Sequence, residues 1–327
     1  MKKILNWQFA LILLLVGEFT IFGILNPYFL ILDNLLYSVG DFLYIALAAL
    51  PMTLVIITGG IDISVGAIMG LGSIVTALLW VKGMSIWLAM MFGLGAGATA
   101  GLLNATLILI TGVNPLVITL GSSFLISGLS LILSGQAGAT GFEGISGLPR
   151  DFSSIANGYT FNIPNPVWIL IIVSIIFFVV LHKTKFGKNL FLIGTNPDAA
   201  KYSGIHVKKN IIATYMIMGI TAAFSGIMLT SYFTSARADL GGGSALSVIT
   251  CAVLGGASIY GGTGSIIGTI IASLFIGYLK YGLQMVGVSS QSTQVYMGVV
   301  LIAAISVRYF WNIYSNKAKN KKALSKA

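Results

Sequence analysis

The chain predicts an all-α fold, a polytopic transmembrane bundle of about ten spanning helices with both termini cytoplasmic. Three observations carry that expectation. Hydrophobic residues make up 57% of the 327 residues and charged ones 8%, against roughly a quarter charged in soluble domains, and mean hydropathy is +0.96. Apolar runs recur at the length that crosses a hydrocarbon core, about 17 to 25 residues. The basic residues, finally, cluster at positions that agree with one orientation in the membrane.

The candidate spans, in order, are residues 7–25, 39–57, 63–80, 86–110, 116–133, 167–181, 211–232, 245–259, 266–288 and 293–312. The first invites a second reading as a cleaved signal peptide, because Lys2 and Lys3 precede it. Its apolar run is too long for that, contains Glu18, and has no small-residue cleavage pattern before Asn26-Pro27, so it is read as a retained helix. Glu18 must then face the bundle interior or a partner. Residues 167–181 and 245–259 are short for a full crossing, so they extend into their flanks or are interrupted helices.

Lys and Arg accumulate on the cytoplasmic side of membrane proteins. Fourteen of the 18 lie at Lys2 and Lys3, in residues 182–210, or after residue 307. Placing all three regions inside requires six crossings before the loop and four after it, which is the number of runs found. Residues 135–166 then lie outside and read as an ordered loop rich in Gly, Ser, Asn and Pro. The whole of 1–327 reads as a single transmembrane domain, with a cytoplasmic loop at 182–210 and a basic tail at 313–327. The net charge of +10 is thus accounted for by membrane orientation and lipid contact, with no nucleic-acid partner.

Several function classes lose their residues. No Gly-x-x-x-x-Gly-Lys-Ser/Thr phosphate loop occurs, so this chain has no ATPase site of that kind. Cys251 is the single cysteine, and His182 and His206 are the two histidines, so neither a metal site nor a His-based nucleophile system is assigned. No catalytic residue and no cofactor follow from the sequence.

What remains is a polar interruption between two apolar runs, Ile57-Thr58-Gly59-Gly60-Ile61-Asp62-Ile63-Ser64-Val65-Gly66. A carboxylate at membrane depth costs at least a few kcal/mol and marks a solute or ion route, and glycines permit broken backbone where it lines a cavity. Gly59, Gly60, Asp62, Ser64 and Asn114 are the candidate pathway residues. Asp62 has a second reading, as a cap accepting from amides of the helix that begins near Ser64. The pattern Gly59-Gly60-x-x-Ile63-x-x-Gly66 recurs as Gly255-Gly256-x-x-Ile259-x-x-Gly262, as paired breaks in a transporter would. By contrast Gly66/Gly70, Gly93/Gly97/Gly101 and Gly264/Gly268 have the four-residue spacing of close helix packing. Arg237 and Asp239 either meet a docked partner or pair with each other, and Lys280 snorkels toward the interface.

In residues 182–210, Asn196-Pro197-Asp198 reads as a helix start and Gly204 as its end. Asp198-Ala199-Ala200-x-x-x-Gly204 resembles the Glu-Ala-Ala-x-x-x-Gly loop of binding-protein-dependent ABC permeases, with Asp in place of Glu. Two further stretches, Gly59-Gly60-Ile61-Asp62-Ile63-Ser64-Val65-Gly66 and Val253 to Gly268, are similar to the ribose-type branch. Within that branch, Ala49 to Ile56, Val113 to Gly121, Gly138 to Ile145 and Ser235 to Gly241 are similar to permeases of autoinducer-2 import; Leu246-Ser247-Val248 departs from the Glu-Leu-Asp of ribose permeases.

The resemblance implies a heteromeric importer of autoinducer-2. Its partners are a second permease subunit, a cytoplasmic ABC ATPase that uses the ATP, and an extracytoplasmic solute-binding protein, all at a bacterial inner or plasma membrane. It also implies that Asp198, Ala199, Ala200, Ser203 and Gly204 form the ATPase-coupling loop. A sugar permease is the alternative within the class. An ion-coupled secondary transporter using Glu18 and Asp62 is the alternative outside it, and the Asp198 to Gly204 element argues against that reading.

Overall fold

The computed structural model describes residues 2–139, 143–289, 291–293, 295–299, 302, 303 and 306. In lipid every backbone polar group needs a partner inside the protein, so apolar runs of this length settle as helices. They are α1 (Lys2–Leu25), α2 (Leu32–Ile57), α3 (Val65–Val81), α4 (Ile86–Thr111), α5 (Pro115–Gln136), α6 (Arg150–Asn157), α7 (Asn165–Lys183), α8 (Lys185–Thr195), α9 (Pro197–Tyr202), α10 (Val207–Phe233), α11 (Ser244–Leu254) and α12 (Ile266–Met285). A two-stranded hairpin, β1 (Tyr159–Thr160) and β2 (Ile163–Pro164), precedes α7. Among the described residues, α1 from Trp7, α2, α4, α5, α7, α10 and α12 are long and apolar enough to cross a membrane, while α3 and α11 are shorter apolar helices.

Nine of the ten predicted spans therefore lie on helices, and the tenth falls mostly outside the described residues, as does the basic tail. The run at 245–259 is an interrupted helix: α11 stops at Leu254 and the chain continues irregularly to Ser265. Residues 135–166 are more than a loop, since α6 and the hairpin form within them. Ser231 fastens α6 to the end of α10, accepting from the Ala156 amide at 3.1 Å and donating to the Phe152 carbonyl at 2.6 Å. The loop at 182–210 likewise holds two helices where one was expected. Thr184 caps α8, which buries Leu190 and Ile193 beneath a basic surface.

At the centre stands α2, buried from Ser38 to Ile57 except at the half-buried Asp41 and Tyr44, with α7, α10, α11 and α12 against it. Around it α1, α5 and α7 turn large apolar side chains outward, Phe124, Ile132, Ile172 and Ile175 among them, as lipid-facing helices do. On the inward side of α1, Glu18 is buried along with Trp7, Leu11 and Phe22, and neither of its carboxylate oxygens has a hydrogen-bond partner among the described residues. The chain is a multi-pass membrane protein.

Lipid gives no hydrophobic drive for one helix to seek another, so association depends on close van der Waals approach. The four-residue glycine spacings supply it. A Cβ on Gly97 would run into the Gly219 carbonyl of α10, and one on Gly219 would run into that of Gly97. Gly66, Gly70 and Gly268 also come close to backbone, but the carbonyls they meet, of Gly241, Ala238 and Gly255, lie in turns outside the helices. Gly95, two residues from Gly97, has open space instead. Gly97→Leu should therefore lower stability in detergent by about 1–3 kcal/mol or more through overpacking, while Gly95→Leu leaves the melting temperature near wild type. Equal melting temperatures for the two variants would contradict close packing of α4 on α10.

Candidate functional site: two backbone breaks and an exposed short helix

The first break begins where α2 ends. Gly59 takes φ 83°, a left-handed backbone that glycine adopts without a side-chain penalty, and the Gly60 amide turns back to the Val55 carbonyl at 3.1 Å. Asp62 follows, fully buried. Its Oδ1 accepts from the Ser64 amide at 2.9 Å and from the Ser64 hydroxyl at 2.6 Å, so the carboxylate folds over the start of α3. The Ser64 oxygen in turn accepts from Asn104 Nδ2 of α4 at 2.8 Å. Thr119 of α5 closes the other side, donating to the Ile61 carbonyl at 3.2 Å and accepting from the Ile63 amide at 3.1 Å.

This geometry fits the capping reading of Asp62. The group faces protein on all sides rather than an open passage. One side of the segment is left polar and unsatisfied: Asp62 Oδ2, Asn104 Oδ1 and the Tyr215 hydroxyl, which lies over Gly60, are buried without a hydrogen-bond partner among the described residues. Of the five pathway candidates, Gly59, Gly60, Asp62 and Ser64 share this segment. Asn114 does not join them; it is exposed, and its Oδ1 caps α5 by accepting from the Leu116 amide at 2.9 Å. Sequence reasoning missed Asn104 and Thr119. An asparagine inside an otherwise apolar run, as Asn104 is, was the available signal.

The second break runs from Gly255 to Ser265 and packs against the first. The Gly262 amide donates to the Ile57 carbonyl at 2.9 Å, the last carbonyl of α2. The opening turns of α1 reach the same region, with Trp7 Nε1 donating to the Leu254 carbonyl at 2.7 Å and Gln8 Nε2 to Ser265 Oγ at 2.8 Å. Ser265 then caps α12 through the Gly268 amide at 3.3 Å. Two glycine interruptions far apart in sequence thus form one continuous unit.

The short helix α9 projects at the end of the molecule that carries the lysine-rich connection. Asn196 Oδ1 accepts from the Ala199 amide at 3.0 Å, Pro197 occupies the first turn, and Gly204 ends the helix with φ 81°. Ala200 is buried, whereas Asp198, Ala199, Ser203 and Gly204 are exposed. An open groove of about 700 Å³ runs alongside, lined by Leu109, Pro197, Lys201, Gly204 and Lys209 among others. At the opposite end Arg237 donates to both carboxylate oxygens of Asp239 in a two-pronged ion pair at 2.9 and 2.6 Å, and these hydrogen bonds to Asp239 hold the guanidinium above its ordinary value. Being exposed, that pair adds little stability.

Residues 34–305 match the family described as branched-chain amino acid transport system / permease component. The chain belongs to this family. It is 46% identical over 308 residues to the autoinducer 2 import system permease protein LsrD of Klebsiella pneumoniae, covering 94% of this chain and 93% of that protein. It is 48% identical over 300 residues to the proteins of the same name in Escherichia coli O9:H4 and Shigella flexneri, with 92% and 91% covered. No solved structure matches it.

For this permease the cap geometry yields a direct test. Asp62→Asn keeps an acceptor for the Ser64 amide, so protein abundance and uptake stay close to wild type. Asp62→Ala removes the acceptor from the helix start, which costs about 1–2 kcal/mol, and folded yield falls. Loss of uptake in Asp62→Asn at normal abundance would instead give the carboxylate charge a role in transport.

Proposed function

We propose that the chain is one permease subunit of an ABC importer that carries autoinducer-2 into the cell, using ATP hydrolysed by a separate cytoplasmic ATPase. The carrying observation is the near-half identity, over more than nine-tenths of the chain, to proteins named as autoinducer-2 import permeases. The placement of α9 supports it. A capped, exposed helix beside a groove, with Asp198, Ala199, Ser203 and Gly204 presented outward, has the form of an element that seats in another protein. On this reading α9 lies in the cytoplasm, together with the lysine-rich connection.

The complete machine then holds a second, related permease, the ATPase pair, and an extracytoplasmic binding protein that delivers the solute. The outward apolar faces of α1, α5 and α7 are shared between lipid and the second permease. The Arg237 to Asp239 end faces the binding protein. The glycine breaks, closed in the conformation described, provide backbone able to rearrange when a passage opens.

Clearance of autoinducer-2 and of ribose from the medium, followed in a deletion strain and its complement, tests the solute. Autoinducer-2 clearance should depend on this gene and ribose clearance should not; the reverse result moves the solute to the sugar branch. Gly204→Glu tests the role of α9. A side chain there meets open space, and its left-handed backbone adds strain of only about 1–2 kcal/mol, so the variant should insert normally yet lose the ATPase on co-purification and lose uptake. Undiminished ATPase binding and uptake would remove α9 from the coupling contact.

A further inference from the structure

Between the exposed helix α9 and the membrane core stands a single glycine. Gly194 lies in the last turn of α8, two residues before the Asn196 cap of α9. A Cβ at Gly194 would run into the Ile57 carbonyl, which ends α2, and into the Gly262 amide of the second break. The approach is reciprocal, because a Cβ at Gly261 would fall 2.7 Å from the Gly194 carbonyl and 3.2 Å from the Gly59 amide nitrogen. The following residue takes part as well, since a Cβ on Gly262 would sit 2.8 Å from Thr195 Oγ1. Three backbones, from the two breaks and from α8, therefore meet with no side chain between them, and the Gly262 to Ile57 hydrogen bond of 2.9 Å passes through the contact.

We propose that this three-way glycine contact, centred on Gly194, is the joint through which movement of α9 reaches both backbone breaks at once. The inference rests on the reading of α9 as the ATPase contact. Backbone-to-backbone contact transmits displacement with little loss, because no rotamer is available to absorb it and close-packed groups deform little. Ile57 and Gly59 carry the displacement into α2 and the Asp62 turn; Gly261 and Gly262 carry it into the segment before α12. The second break thereby gains a purpose that Gly255 and Gly256 alone do not supply: it is the partner surface that keeps α8 and α2 in register. Gly194 acts as a positioning residue and touches no solute.

Hydrogen exchange on the assembled wild-type importer tests the joint without altering it. The complex is compared nucleotide-free and with ATP bound to a hydrolysis-deficient ATPase, reading the peptides that contain Gly59 to Ser64 and Gly255 to Ser265. Protection of both segments should change together, by about tenfold, the ordinary size of a coupling between sites. Unchanged protection of both, or a change in one alone, would overturn the joint. In proteoliposomes Gly194→Ala should raise the ATP hydrolysed per autoinducer-2 imported by about tenfold, a ratio that lowered yield of folded complex does not move; an unchanged ratio would also overturn it. Failure of the functional reading looks different, because the ATPase would then not co-purify with the wild-type chain at all.

Discussion

The constraint on which the structure depends is that backbone amides and carbonyls at membrane depth must find partners within the protein. Helices meet it automatically. The two places where α2 and α11 give out do not, and contacts from several other elements serve them. Thr119 serves the peptide groups around Ile61 and Ile63, Asp62 serves the Ser64 amide, and Gly262 serves the carbonyl of Ile57. Trp7 and Gln8, at the very start of the first span, serve the second break. The glycines in these segments are the means by which partners come close enough to bond.

That arrangement connects fold to function. A transporter needs backbone that changes conformation inside a membrane, and such backbone is tolerable only when it is buried in protein. Here the two broken segments are packed on one another, and the connection bearing α9 is packed on both. The permease family to which the chain belongs moves solutes, and the chain holds no phosphate loop of its own. On the proposed reading of α9 as the partner contact, energy applied there meets the two broken segments after only a few residues of intervening chain.

Much of this was legible in the sequence, and the reasons are specific. The spans were readable because each is predominantly apolar over a membrane-crossing length, and Asn196-Pro197 with Gly204 announced α9 through cap chemistry. The glycine repeat at Gly59-Gly60 and Gly255-Gly256 announced both interruptions. α8 was missed because an amphipathic helix carrying Lys185 and Lys188 has the composition of a solvated loop, and α2 was started late because Asp33, Asn34 and Tyr37 make its first turns polar. The partners of Asp62 were out of reach for a different reason. Asn104 and Thr119 lie on separate helices, and nothing in the local pattern states which helices become neighbours. Asn114, beside Pro115, carried the stronger local signal and turned out to be an exposed cap.

On the proposed function this chain is a passive route whose work is done by ATP on a partner. Reconstitution into proteoliposomes with its second permease, the ATPase inside and autoinducer-2-loaded binding protein outside, addresses it most directly. Uptake should require enclosed hydrolysable ATP and should persist when ionophores collapse every proton and sodium gradient. Uptake that proceeds without ATP, or that stops with the gradients while ATP is held constant, would rule out an ATP-driven importer and return Glu18 and Asp62 to the role of ion-coupling carboxylates.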